Sequence, residues 1–218
     1  RGLAATVPLV HVRAMDHPKN SIEHVRWAVK HGPNVDSSDF DLNPGADWGQ
    51  STKSSRPAAV LVPLIQRANG LNVILTKRAS HLKHHPGQIA FPGGKVETFD
   101  ASTTAAALRE AQEEIGLHAT NVNAIGTLPF HHTVTSFQVT PIVGLVLSDF
   151  TPIPQVGEVE EVFEVPLPYL SDPANFLIEG RFWGGSKRYY YTIPYGPYYI
   201  WGATARILRG FAERLVQA

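Results

Sequence analysis

Residues 91–117, FPGGKVETFDASTTAAALREAQEEIGL, set the strongest constraint on how this chain can fold: a Gly-Gly turn, a short loop, then a helix carrying three clustered carboxylates. At about 100° per residue, Thr104, Leu108, Ala111 and Ile115 fall in one narrow stripe, the pattern of a helix face packed on a core. Glu110, Glu113 and Glu114 fall together on another face, because positions three and four apart are helix neighbours. The three carboxylates are therefore expected to point away from the core as a group. Like charges at this spacing destabilise an isolated helix by about 0.2–0.5 kcal/mol per pair. A hard divalent cation removes that conflict, since Mg²⁺ takes carboxylate oxygens together with substrate phosphates. Arg109 stands four residues before Glu113 and can neutralise or orient it. Asp100 or Ser102 can cap the helix start, and Gly116 suits its left-handed end. An acidic run alone more often marks a solvated face; the glycines in front of it favour a site.

Just upstream, residues 76–96 contain no acidic side chain, while Lys77, Arg78, Lys83 and Lys95 are basic and His81, His84 and His85 lie among them. A basic block beside an acidic helix suits a substrate that carries phosphates. The histidines lack a second ligand cluster at zinc spacing, which favours loop residues near the substrate.

Gly94 followed by Arg109-Glu110-Ala111-Gln112-Glu113-Glu114-Ile115-Gly116-Leu117 resembles the signature of the Nudix hydrolases, a glycine, a spaced glutamate and then R-E-U-x-E-E-x-G-U with U aliphatic or small. The interval from Gly94 to Arg109 is one residue longer than the general pattern, and Asp100 stands about where the spaced glutamate is expected. The resemblance implies an α/β/α sandwich with a mixed sheet between helices. It also implies Mg²⁺ or Mn²⁺ held by Glu110, Glu113, Glu114 and the Gly94 carbonyl, with Arg109 holding the carboxylates in place. One of these glutamates, or Glu158, would take the proton from the attacking water.

The stretch from Leu75 to Gly94 is similar to the motif of the coenzyme A pyrophosphatases, L-L-T-x-R-[S/A]-x3-R-x3-G-x3-F-P-G-G. Thr76, Arg78, Ala79, Gly87, Phe91, Pro92, Gly93 and Gly94 match it, and the longer interval before Arg109 is also what that subfamily shows. Lys83 replaces the second arginine, keeping the charge but not the planar fork. The similarity covers residues 56–210. It implies hydrolysis of the diphosphate bond of coenzyme A, and of acyl forms, to 3′,5′-ADP and 4′-phosphopantetheine. Thr76, Arg78, Lys83, Gln88 and Phe91 are the expected substrate contacts. Two rivals stand beside it. One is a Nudix hydrolase of another nucleoside diphosphate derivative, such as ADP-ribose, a dinucleotide or an oxidised dNTP. The other is a Nudix-fold binding module without catalysis, against which the intact R-E-x-x-E-E argues.

Around this centre, residues 21–31 read as a short helix and 34–55 as a loop rich in Asp, Ser, Gly, Pro and Asn. Residues 58–65 and 72–76 read as a hairpin turning at Asn69-Gly70, with further strands at 88–91, 122–128, 138–147, 159–165, 188–193 and 198–201. Pro166-Leu167-Pro168 closes the strand before it, and residues 202–216 form a terminal helix. The division is residues 1–55 as a partly irregular N-terminal extension and 56–218 as the catalytic domain. His131 and His132 fall in a loop expected to face solvent. The tyrosine run 189–191 is expected to pack on the core, with one ring free to flank a base. In the acidic strand 157–164, Glu158 and Glu160 share a face, with Glu158 the favoured extra ligand or base.

Lysine plus arginine equal aspartate plus glutamate at 19 each, so no global field recruits nucleic acid or a membrane. No apolar run approaches the roughly 18 residues that span a bilayer. The lack of cysteine excludes a cysteine nucleophile and thiolate metal sites and suits a cytoplasmic setting. An organellar one stays open because the chain begins at Arg1. The expected partner is a small molecule, with a homodimer left open.

Overall fold

The computed structural model describes residues 18–44, 55–183 and 185–218. In chain order its elements are α1 (Ile22–His31), β1 (Ser37–Ser38), β2 (Arg56–Arg67), β3 (Gly70–Arg78), β4 (Ile89–Ala90) and β5 (Gly93–Lys95). There follow α2 (Thr103–Ile115), β6 (Val122–Thr127), β7 (His131–His132), β8 (Phe137–Val146), β9 (Val159–Pro166) and α3 (Leu167–Ser171). The chain then forms β10 (Leu177–Trp183), β11 (Ser186–Tyr195), β12 (Tyr198–Trp201) and α4 (Ala203–Gln217). Residues 1–17 of the expected extension, and 45–54 of the expected loop, lie outside the described residues.

The architecture follows from β2, whose side chains alternate between two cores. Ala58, Val62 and Leu64 join one with Leu71, Val73 and Leu75 of β3, Val143 and Leu145 of β8, and residues of α1, α3 and α4. Ala59, Leu61 and Ile65 join the other with Ile74, Ile142 and the α2 residues Ala106, Ala107, Ala111 and Ile115. Burial on both faces explains why these strands read as near-continuous apolar runs. β2 runs parallel to β8 and antiparallel to β3, so the nine-stranded sheet is mixed. It lies between α2 on one side and the remaining helices on the other, the α/β/α sandwich expected.

Several details differ from the sequence reading. The Gly-Gly segment is a strand rather than a turn: Gly93 and Gly94 pair with Val60 and Ala59 of β2. A Cβ on Gly93 would lie 2.5 Å from the Ala59 carbonyl oxygen and 2.6 Å from the Val60 Cα, so the close approach requires glycine. The β2–β3 loop is Ala68-Asn69, with Gly70 already paired to Arg67 and carrying the positive φ of +115°. β9 runs through Pro166 and passes straight into α3.

The last three strands, β10, β11 and β12, form a separate antiparallel sheet, and of these β10 has no counterpart among the strands expected from the sequence. Tyr198 docks this sheet on the large one: its ring stacks on Phe163 with centroids 3.6 Å apart, and its hydroxyl donates to Glu161 at 2.5 Å.

The N-terminal side is tied down as well. Arg214 of α4 donates to the Ala28, Val29 and Pro33 carbonyls at the end of α1. Residues 37–38 form β1, parallel to β7. His131 is not a solvent-facing loop residue. It is fully buried in β7 and hydrogen-bonded to the Ser37 hydroxyl at 2.9 Å and the Asp39 carboxylate at 3.1 Å. Those two bonds fix residues 37–39 against the large sheet.

Candidate active site

α2 starts where the Ser102 hydroxyl accepts from the Ala105 N–H at 3.1 Å, and ends at Gly116 in the left-handed conformation. Its three carboxylates do not point outward as a group. Glu113 is exposed, Glu110 is half-buried and Glu114 is only 5% exposed. The reason is angular: Glu114 borders the Ala111 and Ile115 stripe, and β5 lies alongside that flank. Its Oε2 accepts the Gly93 N–H at 3.2 Å. The Glu110 carboxylate occupies the space a side chain on Gly94 would fill, 2.6 Å from where a Cβ would stand.

Asp100 does not cap the helix; it is the partner of Arg109. Nε and Nη2 of Arg109 donate to the two Asp100 oxygens, each at 2.9 Å. Nη1 reaches Glu110 at 2.8 Å and Glu113 at 3.5 Å, and Nη2 also donates to the Lys95 carbonyl at 3.2 Å. Arg109 thus links the loop, the helix and β5.

Burial is the main force on the carboxyls. It pushes Glu114 up to about 7, against the pull of the Gly93 N–H, and the charges of Glu110 and Glu158 add to the rise. Glu110 is also raised chiefly by burial, opposed by Arg109 and assisted by Glu113 and Glu158. Glu158 sits in the turn before β9 rather than on it, exposed, with its carbonyl accepting from the Ala79 N–H at 2.8 Å. It therefore does not share a strand face with Glu160. Glu160 is taken by Lys77 at 2.7 Å and the Ser80 N–H, and Glu161 by Tyr198. Of the three acids in this stretch, Glu158 is the one whose charge reaches both Glu110 and Glu114.

Among the described residues no three His, Cys, Asp or Glu side chains converge as a closed metal cluster. The donor chemistry nevertheless fits a hard divalent cation. The charge of Glu110 raises the proton affinity of Glu114 one turn on, and Mg²⁺ is ordinarily held by one or two carboxylates completed by water and substrate phosphates. A closed protein cage is the wrong expectation for such an ion.

Beside Gly93 lies a cavity of about 440 Å³. Arg78, Gln88 and Phe91 line it, as do Ser38 of β1 and Asp39 and Leu42 just after it. Its far wall comes from the C-terminal sheet and α4, with Arg181, Arg188, Tyr189, Tyr190, Tyr191, Trp201 and Arg206. Thr76 is buried instead, donating to the Ala90 carbonyl at 3.1 Å, and Lys83 is exposed and outside the lining. His85 lines the cavity, its pKa lowered by burial and by the charge of Arg78. The arginines of the far wall escaped the sequence reading. The available signal was Arg188 entering the tyrosine run, but its facing partner Arg181 belongs to the strand that was missed.

A family model described as the NUDIX domain matches residues 55–176. The uncharacterized Nudix hydrolase NudL of Salmonella paratyphi B is 42% identical over 164 residues, which are 75% of this chain and 85% of that protein. Among solved structures, the MutT protein of Methanosarcina mazei Go1 is 20% identical with a TM-score of 0.48, the match covering 77% of this chain and 97% of the other. The NUDIX domain of Shewanella oneidensis NrtR, complexed with ADP ribose, is 20% identical with a TM-score of 0.42, covering 53% and 75%. The match over more than half the chain, together with the close relative, means that this chain belongs to the Nudix family of divalent-metal-dependent hydrolases acting on nucleoside diphosphate derivatives.

Proposed function

We propose that the protein hydrolyses the diphosphate bond of coenzyme A, and of acyl forms, to 3′,5′-ADP and 4′-phosphopantetheine. The observation that carries this reading is adjacency at Gly93, which lines the cavity and donates its N–H to Glu114. A diphosphate at that end of the cavity meets the carboxylates of α2. The motif residues Arg78 and Phe91 line the same cavity, as does the expected substrate contact Gln88. Its mixture of arginines and aromatic rings suits a nucleotide that carries several phosphates.

In this reading Glu110 and Glu114, with Glu113 and the Gly94 carbonyl, hold Mg²⁺ or Mn²⁺. The bound ion supplies a lowered pKa for a coordinated water and neutralises charge on the leaving oxygen. Arg109, braced by Asp100, fixes the Glu110 carboxylate. Arg78 faces the diphosphate and offsets its charge. Glu158, exposed and without a side-chain hydrogen bond among the described residues, accepts the proton of the attacking water. Residues 56–218 act as the catalytic unit, and the extension contributes the Ser38–Leu42 side of the cavity.

The test is a panel of coenzyme A, acetyl-coenzyme A, ADP-ribose, a diadenosine polyphosphate and an oxidised dNTP, each with Mg²⁺ and with Mn²⁺. The expected result is the highest kcat/KM for coenzyme A or its acyl form. A higher value for ADP-ribose or another substrate without the 3′-phosphate overturns the assignment.

A further inference from the structure

The family match ends at residue 176, yet a wall of the cavity is built beyond it, on β10–β12. On that wall Arg181 of β10 stands directly opposite Arg188 of β11, and both line the cavity. Like charges directly opposite on an antiparallel pair destabilise it.

The excess is local, since the whole chain carries 19 basic and 19 acidic side chains. Among the described residues four arginines line the cavity, Arg78, Arg181, Arg188 and Arg206, and one acid, Asp39. Asp39 is already taken by His131 and the Val134 N–H, and Arg206 is neutralised by Asp41 at 2.7 Å. Among the described residues no carboxylate forms an ion pair with Arg181. The scaffold under the pair is fixed: the Asn43 side chain both donates to and accepts from the Tyr189 backbone, each at 2.8 Å. Next to the arginines, the rings of Tyr190 and Trp201 meet at 5.5 Å.

We propose that Arg181 and Arg188 clamp a phosphate monoester of the substrate, distinct from the diphosphate that is cleaved, with a base lying against Tyr190 and Trp201. A dianion between the facing guanidinium groups meets both charges, and two forks on one phosphate give a strong, oriented contact. This rests on the coenzyme A reading, in which the monoester is the ribose 3′-phosphate. Selectivity for that phosphate then resides outside the segment shared with the family.

The experiment compares coenzyme A with dephospho-coenzyme A, which lacks the 3′-phosphate, in the wild type and in Arg181→Ala, Arg188→Ala and Arg181→Lys. In parallel, calorimetry measures 3′,5′-ADP and 5′-AMP binding to the same proteins. The wild type is expected to prefer coenzyme A by about tenfold or more, through KM. Either alanine variant collapses this ratio, and Arg181→Lys, which keeps the charge, retains part of it. Equal losses on both substrates overturn the clamp while leaving the hydrolysis assignment intact. If the wild type cleaves neither substrate, the assignment fails and binding decides the clamp. Tighter binding of 3′,5′-ADP than of 5′-AMP, lost in Arg181→Ala, supports it, and equal binding overturns it.

Discussion

Arg109 grips Asp100 at two points, Nε to Oδ1 and Nη2 to Oδ2, each at 2.9 Å. The carboxyl of Asp100 is held below its ordinary range by that bond, and the brace sets where Arg109 meets Glu110. Asp100→Ala frees the guanidinium to close on Glu110 and Glu113, and kcat/KM is expected to fall by about 10–100-fold, the usual cost of losing a group that orients a ligand. Asp100→Glu, which keeps the charge, should recover most of it. Steady-state kinetics at saturating metal check this, and an unchanged Asp100→Ala enzyme would contradict the bracing role.

Gly93 and Gly94 are adjacent but should fail in different ways. The atoms nearest a Cβ on Gly94 belong to the movable end of Glu110, so Gly94→Ala displaces a carboxylate with little change in Tm. Activity should fall by about tenfold or more, since small misplacements of reacting groups are costly. A Cβ on Gly93 meets the β2 backbone, and Gly93→Ala should lose about 1–3 kcal/mol of stability. Thermal melts run beside activity assays separate the two; a stable Gly93→Ala with an unstable Gly94→Ala would contradict the packing described.

Glu164 offers a test of the frame away from the site. It accepts from Arg67 Nη2 at 2.5 Å and from Asn72 at 2.8 Å, and the Arg67 bond is the main cause of its lowered pKa. A carboxyl whose pKa is depressed in the folded state stabilises the fold above its unfolded value, ordinarily 4.5, and loses that contribution as pH falls through the folded value. Glu164→Gln is expected to cost about 1 kcal/mol near neutrality, discounted for partial exposure. Denaturant unfolding should show the gap to wild type closing on acidification below pH 4.5. A gap that persists unchanged in acid would contradict the ion-pair account.

How much of this was legible in the sequence depended on whether a residue's role was set locally. The bounds of α2 were readable because Ser102 and Gly116 mark them chemically, and β2, β3 and β8 because burial on both faces leaves long apolar runs. The burial of Glu114 was not, since periodicity shows which residues share a face but not that β5 covers that flank. β5 itself was hidden because two glycines carry no strand signal, though close approach is why they are there. β10 was missed because it lies in the exposed small sheet, with Ile178 and Phe182 more than half exposed, so its pattern does not alternate between core and solvent. The role of Arg214 has no local signal, because its acceptors are about 185 positions earlier.

The central claim is that Glu110 and Glu114 carry the hydrolysis of coenzyme A, and the most direct measurement compares wild type with Glu114→Gln, a nearly isosteric change. Products are identified by mass after incubation with Mg²⁺ or Mn²⁺, and circular dichroism confirms an unchanged fold. The account predicts 3′,5′-ADP and 4′-phosphopantetheine from the wild type and a loss of about a hundredfold or more in Glu114→Gln. Undiminished release of these products by folded Glu114→Gln would contradict it.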